Sequence, residues 1–136
     1  MKVTWLHVSD FHFQGGDRYE SDRCLNALVD AVRHYREEQG RRPDLIFATG
    51  DIANRGTDDE YRLAESFFDD LLKAADIEKK RLFLVPGNHD VNRSIGDQLK
   101  RTLDSDDEAT KYFAPQGQKV HINQKQEAFI EWYDDY

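Results

Sequence analysis

Three short apolar runs, KVTWLHVS (2–9), DLIFAT (44–49) and RLFLVP (81–86), recur along the chain with a helix-periodic stretch between each pair. They are rich in β-branched and aromatic residues and bounded by turn signals, which predicts strands, and the middle run suits a buried parallel strand. From about Ser21 to Gln39 the residues Leu25, Leu28, Val29, Val32 and Tyr35 fall three and four apart, and Gly40 closes the pattern, so a first amphipathic helix is predicted. Thr57 and Glu60 form a capping box ahead of Tyr61, Ala64, Phe67, Phe68, Leu71 and Leu72, the apolar face of a second helix. Strand, helix, strand, helix, strand in this order implies right-handed βαβ crossovers. The expected fold is therefore α/β, with helices packed on a largely parallel sheet.

That topology gives meaning to the polar residues just beyond each run. SDFH (9–12), GDIANRG (50–56) and GNHD (87–90) each lie just past a predicted strand. A parallel sheet gathers all three at its C-terminal edge, where open α/β folds bind ligands. Any one cluster alone is an ordinary turn, since Gly, Asn and Asp serve turns for conformational reasons; three on one rim are hard to explain that way. Asp10, His12 and Asp51 offer carboxylate and imidazole, a set suited to manganese, iron or zinc, and Asn88 adds an amide oxygen. Asp10 and His12 can turn to one ion only if strand alternation is lost there, and Asp51 has two oxygens with which to bridge two ions. Gly50, Gly56 and Gly87 fit sharp turns and close approach. His89 is suited to protonate or stabilise a leaving oxygen. Asp90 reads either as its hydrogen-bond support or as the N-cap of a helix starting near Val91.

Composition narrows the function classes. With 136 residues, 38% hydrophobic and 34% charged, the chain reads as one soluble globular domain or part of one. No apolar run approaches the length of a membrane span. MKVTWLHVSD lacks the apolar stretch of a signal peptide, so a cytoplasmic protein is expected. Cys24 is the single cysteine, which excludes an intrachain disulfide and a thiolate metal cage. A net charge of −8 argues against a basic surface for nucleic-acid phosphates, though not against a metal site that binds one phosphate locally.

D-x-H at Asp10 to His12, G-D-x-x-x-x-G at Gly50 to Gly56 and G-N-H-D at Gly87 to Asp90 resemble, in order and spacing, the calcineurin-like metallophosphoesterase superfamily. LHVSDFHF and LVPGNHDVNR look most like its bacterial branch related to cyclic-nucleotide phosphodiesterases, over residues 1 to about 93. The resemblance implies a four-layer αββα sandwich when complete, of which residues 1–136 are the N-terminal portion. It also implies two divalent ions, manganese, iron or zinc, with Asp10 and His12 on the first, Asp51 bridging and Asn88 on the second. A hydroxide held between ions about 3.5–4 Å apart would attack phosphorus, with His89 facing the leaving group and Asp90 supporting it. Arg55 or Arg93 would clamp a phosphate oxygen; each otherwise reads as a solvated loop arginine.

One departure matters. The family carries a further histidine and a G-H-x-H element downstream, and no G-H-x-H occurs here. His7 reads as a packed or surface strand residue and His34 as solvated; His121 is the remaining substitute for the lone histidine and is not taken as a ligand. The second ion thus has at most Asp51 and Asn88 from this chain. Its site is expected to be completed by further polypeptide or by a second chain. Phosphoester hydrolysis is the leading expectation, with cyclic nucleotides, nucleic acids, phosphoproteins and lipids all open as substrates. A binding or regulatory module without chemistry is the first alternative, and a metal-dependent nuclease the second.

Residues 94–136 are expected to hold a short helix near 95–103, an acidic SDDE stretch belonging to an insertion by the substrate cleft, and a last helix capped by Asn123. The stripe Phe129, Ile130, Trp132 and Tyr133 on that helix needs a partner surface, which favours a longer polypeptide.

Overall fold

The computed structural model describes residues 2–16, 19–92, 104–115 and 124–136. Its three apolar runs form strands β1 (Trp5–Ser9), β2 (Leu45–Thr49) and β3 (Leu82–Val85), linked by helices α1 (Tyr19–Gln39) and α2 (Asp58–Ala75). All pairings are parallel in the order β1-β2-β3, with Leu6 opposite Ile46 and Ile46 opposite Leu82. Both crossovers advance the same way across the sheet, and right-handed connections then put both helices on one face. The two helices pack on each other there.

The sheet's alternation follows from this one-sided cover. Leu6, Val8, Ile46, Ala48, Leu82 and Leu84 face the helices and join the core, in which Ile46 and Ala48 have no solvent exposure. The opposite face, Trp5, His7 and Ser9 beside Leu45, Phe47 and Thr49 and then Phe83 and Val85, is open: Trp5 is 61% and Val85 51% exposed. His7 is a surface residue on that face, 2.7 Å from the Thr49 hydroxyl.

Every apolar residue expected on the inner face of α2 is buried. Its N-terminus is held by Glu60, whose carboxylate accepts from the amides of Arg55 at 2.8 Å and Thr57 at 3.3 Å. At the other end Asp76 takes a left-handed conformation, and the Ile77 amide donates back to the Leu72 carbonyl. A turn of 3-10 helix, Lys79–Arg81, leads into β3.

The described residues of the C-terminal third are mostly helical. The SDDE stretch starts a helix on the surface: α3 (Asp106–Phe113) has no buried residue and begins with the Ser105 hydroxyl accepting from the Glu108 amide. Three acidic residues in its first turn suit the positive end of the helix dipole. Phe129 and Trp132 of the stripe on α4 (Glu127–Asp135) have a partner within the chain, while Ile130 and Tyr133 stay 40% and 44% exposed. Trp132 stacks on Tyr61 with ring centroids 5.0 Å apart, Phe129 is buried against the same ring, and the Tyr136 hydroxyl donates to Asp69. Asn123, the helix near 95–103, Arg93 and His121 lie outside the described residues.

Candidate metal centre

Beyond the strand ends the three polar loops are laced together by main-chain bonds. The Gly50 amide donates to the Val85 carbonyl, and Asp10, His12 and Phe13 donate in turn to the carbonyls of Gly50, Asp51 and Ile52. The first loop thus runs along the second instead of leaving the sheet. It does so through left-handed backbone at Asp10 (φ 61°) and His12 (φ 49°), matched by Asp51 (φ 48°) on the second loop. Residues with a Cβ resist this region, at about 1–2 kcal/mol each with aspartate the more tolerant. Three of the four such residues among those described are expected metal ligands. Left-handed backbone at both Asp10 and His12 ends the regular alternation of β1, the condition for sharing an ion.

One ligand atom each from His12, Asp51 and His89 lies within 4.8 Å of the others. His12 Nε2 is 3.9 Å from Asp51 Oδ2, and the two imidazole rings meet edge to face with centroids 4.6 Å apart. Asp51 Oδ1 accepts from the His89 main-chain amide at 2.8 Å, which hangs the third loop on the second and sets the carboxylate's orientation. His89 Nδ1 lies 2.9 Å from the Asn54 carbonyl oxygen. A carbonyl only accepts, so Nδ1 carries the proton. Two imidazoles and a carboxylate suit manganese, iron or zinc. Atoms bound at about 2.1 Å to one ion stand roughly 3–4 Å apart, so small side-chain rotations close the set, and the residues fit a divalent metal.

The expected ligands are brought together only in part. His12 and Asp51 converge, while Asp10 and Asn88 are both exposed and Asp10 is not one of the converging three. Sequence reasoning sets His89 against a leaving group and does not see it as a member of the ligand cluster. Arg55 is exposed, its amide held by Glu60.

The Asp90 carboxylate bonds main-chain amides and Tyr61 rather than the His89 ring, and the helix that it is expected to cap lies beyond Asn92, outside the described residues. Its carboxylate, 1% exposed, receives the amides of Ile52 (2.9 Å), Ala53 (2.6 Å) and Gly87 (2.8 Å) and the Tyr61 hydroxyl (3.3 Å). The residue is thus a buried clamp between the second and third loops. Burial, and then the Asp90 charge, hold the Tyr61 phenol far above its usual pKa, so it stays a donor. Glycine is required where these loops touch: a Cβ on Gly87 would stand 2.3 Å from Asp51 N and Oδ1, and one on Gly56 2.9 Å from the Val91 backbone.

The sequence pattern of the calcineurin-like phosphoesterases matches residues 3–135, well past residue 93 where the short motifs end. The chain is 31% identical over 145 residues to the uncharacterized metallophosphoesterase-like protein YydB of Bacillus subtilis (strain 168), a match that takes in 100% of this chain and 28% of that protein. It is 31% identical over 104 residues to a probable glycerophosphodiester phosphodiesterase, GpdQ, of Arcobacter nitrofigilis, covering 75% of this chain and 34% of the relative. To a cAMP/cGMP dual specificity phosphodiesterase of Mycobacterium tuberculosis it is 34% identical over 90 residues, covering 62% of this chain and 26% of the relative. The chain therefore spans about a third or less of the length of these relatives. None of its described helices is long and apolar enough to cross a membrane.

Proposed function

Since the chain belongs to the calcineurin-like phosphoesterase family, we propose that its rim is the N-terminal half of a dinuclear centre for phosphoester hydrolysis. The convergence of His12, Asp51 and His89 from three loops carries this reading. Asp10 and His12 would hold the first ion, Asp51 would bridge and Asn88 would hold the second, with manganese, iron or zinc all compatible. Two such ions, when bound, supply charge to neutralise phosphate oxygens and lower the pKa of an attacking water. Asp51, oriented by the His89 amide, keeps the first and third loops at a common centre. His89, held through Nδ1 by the Asn54 carbonyl, would face the leaving oxygen. Asp90 preserves that geometry by bonding the second and third loops together, and Arg55 or Arg93 would clamp a phosphate oxygen. The names of two relatives favour a phosphodiester as substrate.

In the intact protein loaded with manganese, Asp51→Asn is expected to lower hydrolysis of bis(p-nitrophenyl) phosphate by at least about 100-fold, since even residues behind a metal ligand are worth 10–100-fold. An unchanged rate in that variant ends the reading.

We also read residues 1–136 as the N-terminal portion of an αββα sandwich whose second sheet covers the face bearing Trp5, Phe83 and Val85. The exposure of that face and the short share of the relatives' length support it. A structure of the intact protein with that face in solvent would contradict it.

A further inference from the structure

Resting on the metal-site reading, we infer that Tyr61 is a positioning residue of the metal centre, aimed by the last helix and acting through Asp90. Buried contacts lead without a break from α4 to the loops. Phe129 and Trp132 of α4 hold the Tyr61 ring, the first edge to face at 6.0 Å and the second stacked at 5.0 Å between centroids. That ring is 1% exposed, and its hydroxyl donates to Asp90 Oδ1 at 3.3 Å. Asp90, equally buried, accepts in turn from the amides of Ile52, Ala53 and Gly87. Ile52 follows Asp51 in the chain, Gly87 precedes Asn88, and Asp90 follows His89. The Ile52 carbonyl accepts from the amide of Phe13, next to His12. One carboxylate thus ties together the stretches that carry His12, Asp51, Asn88 and His89.

The hydroxyl matters because this carboxylate is buried. Among the described residues its charge is met by four donors, three main-chain amides and the Tyr61 hydroxyl, and a buried charge depends on each of them. The amides are fixed by the backbone; the hydroxyl is the donor that a side chain supplies, and so the one that packing aims. Burial, and then the Asp90 charge, keep the phenol protonated, so the donor itself is constant. Its direction is set by the stack on Trp132. A second tie joins the same parts, since the Asn92 amide donates to the Lys125 carbonyl at 2.9 Å. The seating of α4 on α2 is therefore felt at the loops that hold the ion.

Manganese titration of the intact protein stripped of metal, with the free ion read by electron paramagnetic resonance, tests this without reference to activity. Tyr61→Phe keeps the stacked ring and removes the hydroxyl. It is expected to raise the manganese Kd about 10-fold, as the loss of a group behind a metal ligand does. Trp132→Leu keeps the hydroxyl and removes the ring that aims it. Its Kd is expected to rise in the same direction, with no further rise when it is added to the Tyr61→Phe background. Val29→Ala, buried in α1 against the same core, sets the baseline of a purely structural change: a lower melting temperature and an unchanged Kd. That baseline pattern in Tyr61→Phe overturns the inference. Wild-type affinity in Trp132→Leu overturns it even if Tyr61→Phe fails to fold, and so does an additive rise in the double variant. If Asp51→Asn abolishes binding while the Tyr61 and Trp132 variants bind as wild type does, the inference falls and the metal-site reading stands. An intact wild-type protein that binds no manganese overturns both.

Discussion

Gly87→Ala is expected to cost about 3 kcal/mol of stability, the upper end of what an added methyl inflicts on a close-packed site, and to lower the melting temperature by roughly 10 °C. The added Cβ meets Asp51 N and Oδ1 at 2.3 Å and Gly50 Cα at 2.8 Å. Two of those three atoms are backbone, so no rotamer change relieves the clash. The loops must part, and the bond from the His89 amide to Asp51 Oδ1 goes with them. Gly50→Ala is the natural comparison. A Cβ there meets nothing within 4 Å, and only the left-handed φ of 77° opposes it, at about 1 kcal/mol. Thermal unfolding followed by far-UV circular dichroism measures both. Equal losses at the two glycines would mean that the loop contact is not rigid.

Asp90→Asn is expected to be of similar size for a different reason. Each carboxylate oxygen serves two donors: Oδ1 takes Ala53 N and the Tyr61 hydroxyl, and Oδ2 takes Ile52 N and Gly87 N. An amide has one acceptor oxygen, so whichever way it turns its NH2 faces two donors. At about 1–3 kcal/mol for each buried polar group left unsatisfied, the loss comes to about 3–5 kcal/mol. Urea denaturation read against Tyr61→Phe, which removes one donor and nothing else, apportions it. A loss below about 1 kcal/mol for Asp90→Asn would mean that water replaces the carboxylate. That would contradict its 1% exposure.

The strands and the first two helices are legible because each follows from a periodicity that burial enforces. Leu71 and Leu72 are buried because their spacing from Phe67 and Phe68 leaves them no other face. The rim is legible for a topological reason, since parallel strands send every following loop to one edge. The fate of Asp90 is not. Reasoning along the chain pairs it with His89 beside it or with a helix after it, whereas its Ile52 and Ala53 donors lie 38 and 37 residues away. His89 is half legible: its type marks it for chemistry, but its approach to His12 depends on left-handed backbone at His12 and Asp51, which residue type does not announce. In the C-terminal third the helix at Asp106 escapes a reading that weighs its density of charge above the capping signal of Ser105 and Glu108. The acidic first turn is itself part of that signal, because it lies at the positive end of the helix.

The one-sided cover of the sheet also divides the chain's two indoles. Trp5 lies 61% exposed on the bare face, whereas Trp132 is stacked between Tyr61 and Tyr136 on the helical side. Their emission therefore reports on different events. Light from Trp5 shifts to the blue when apolar matter covers the strands, and a quencher reaches Trp132 as the last helix lifts from α2. A fluorescence spectrum taken with and without quencher distinguishes a change on one side of the sheet from a change on the other.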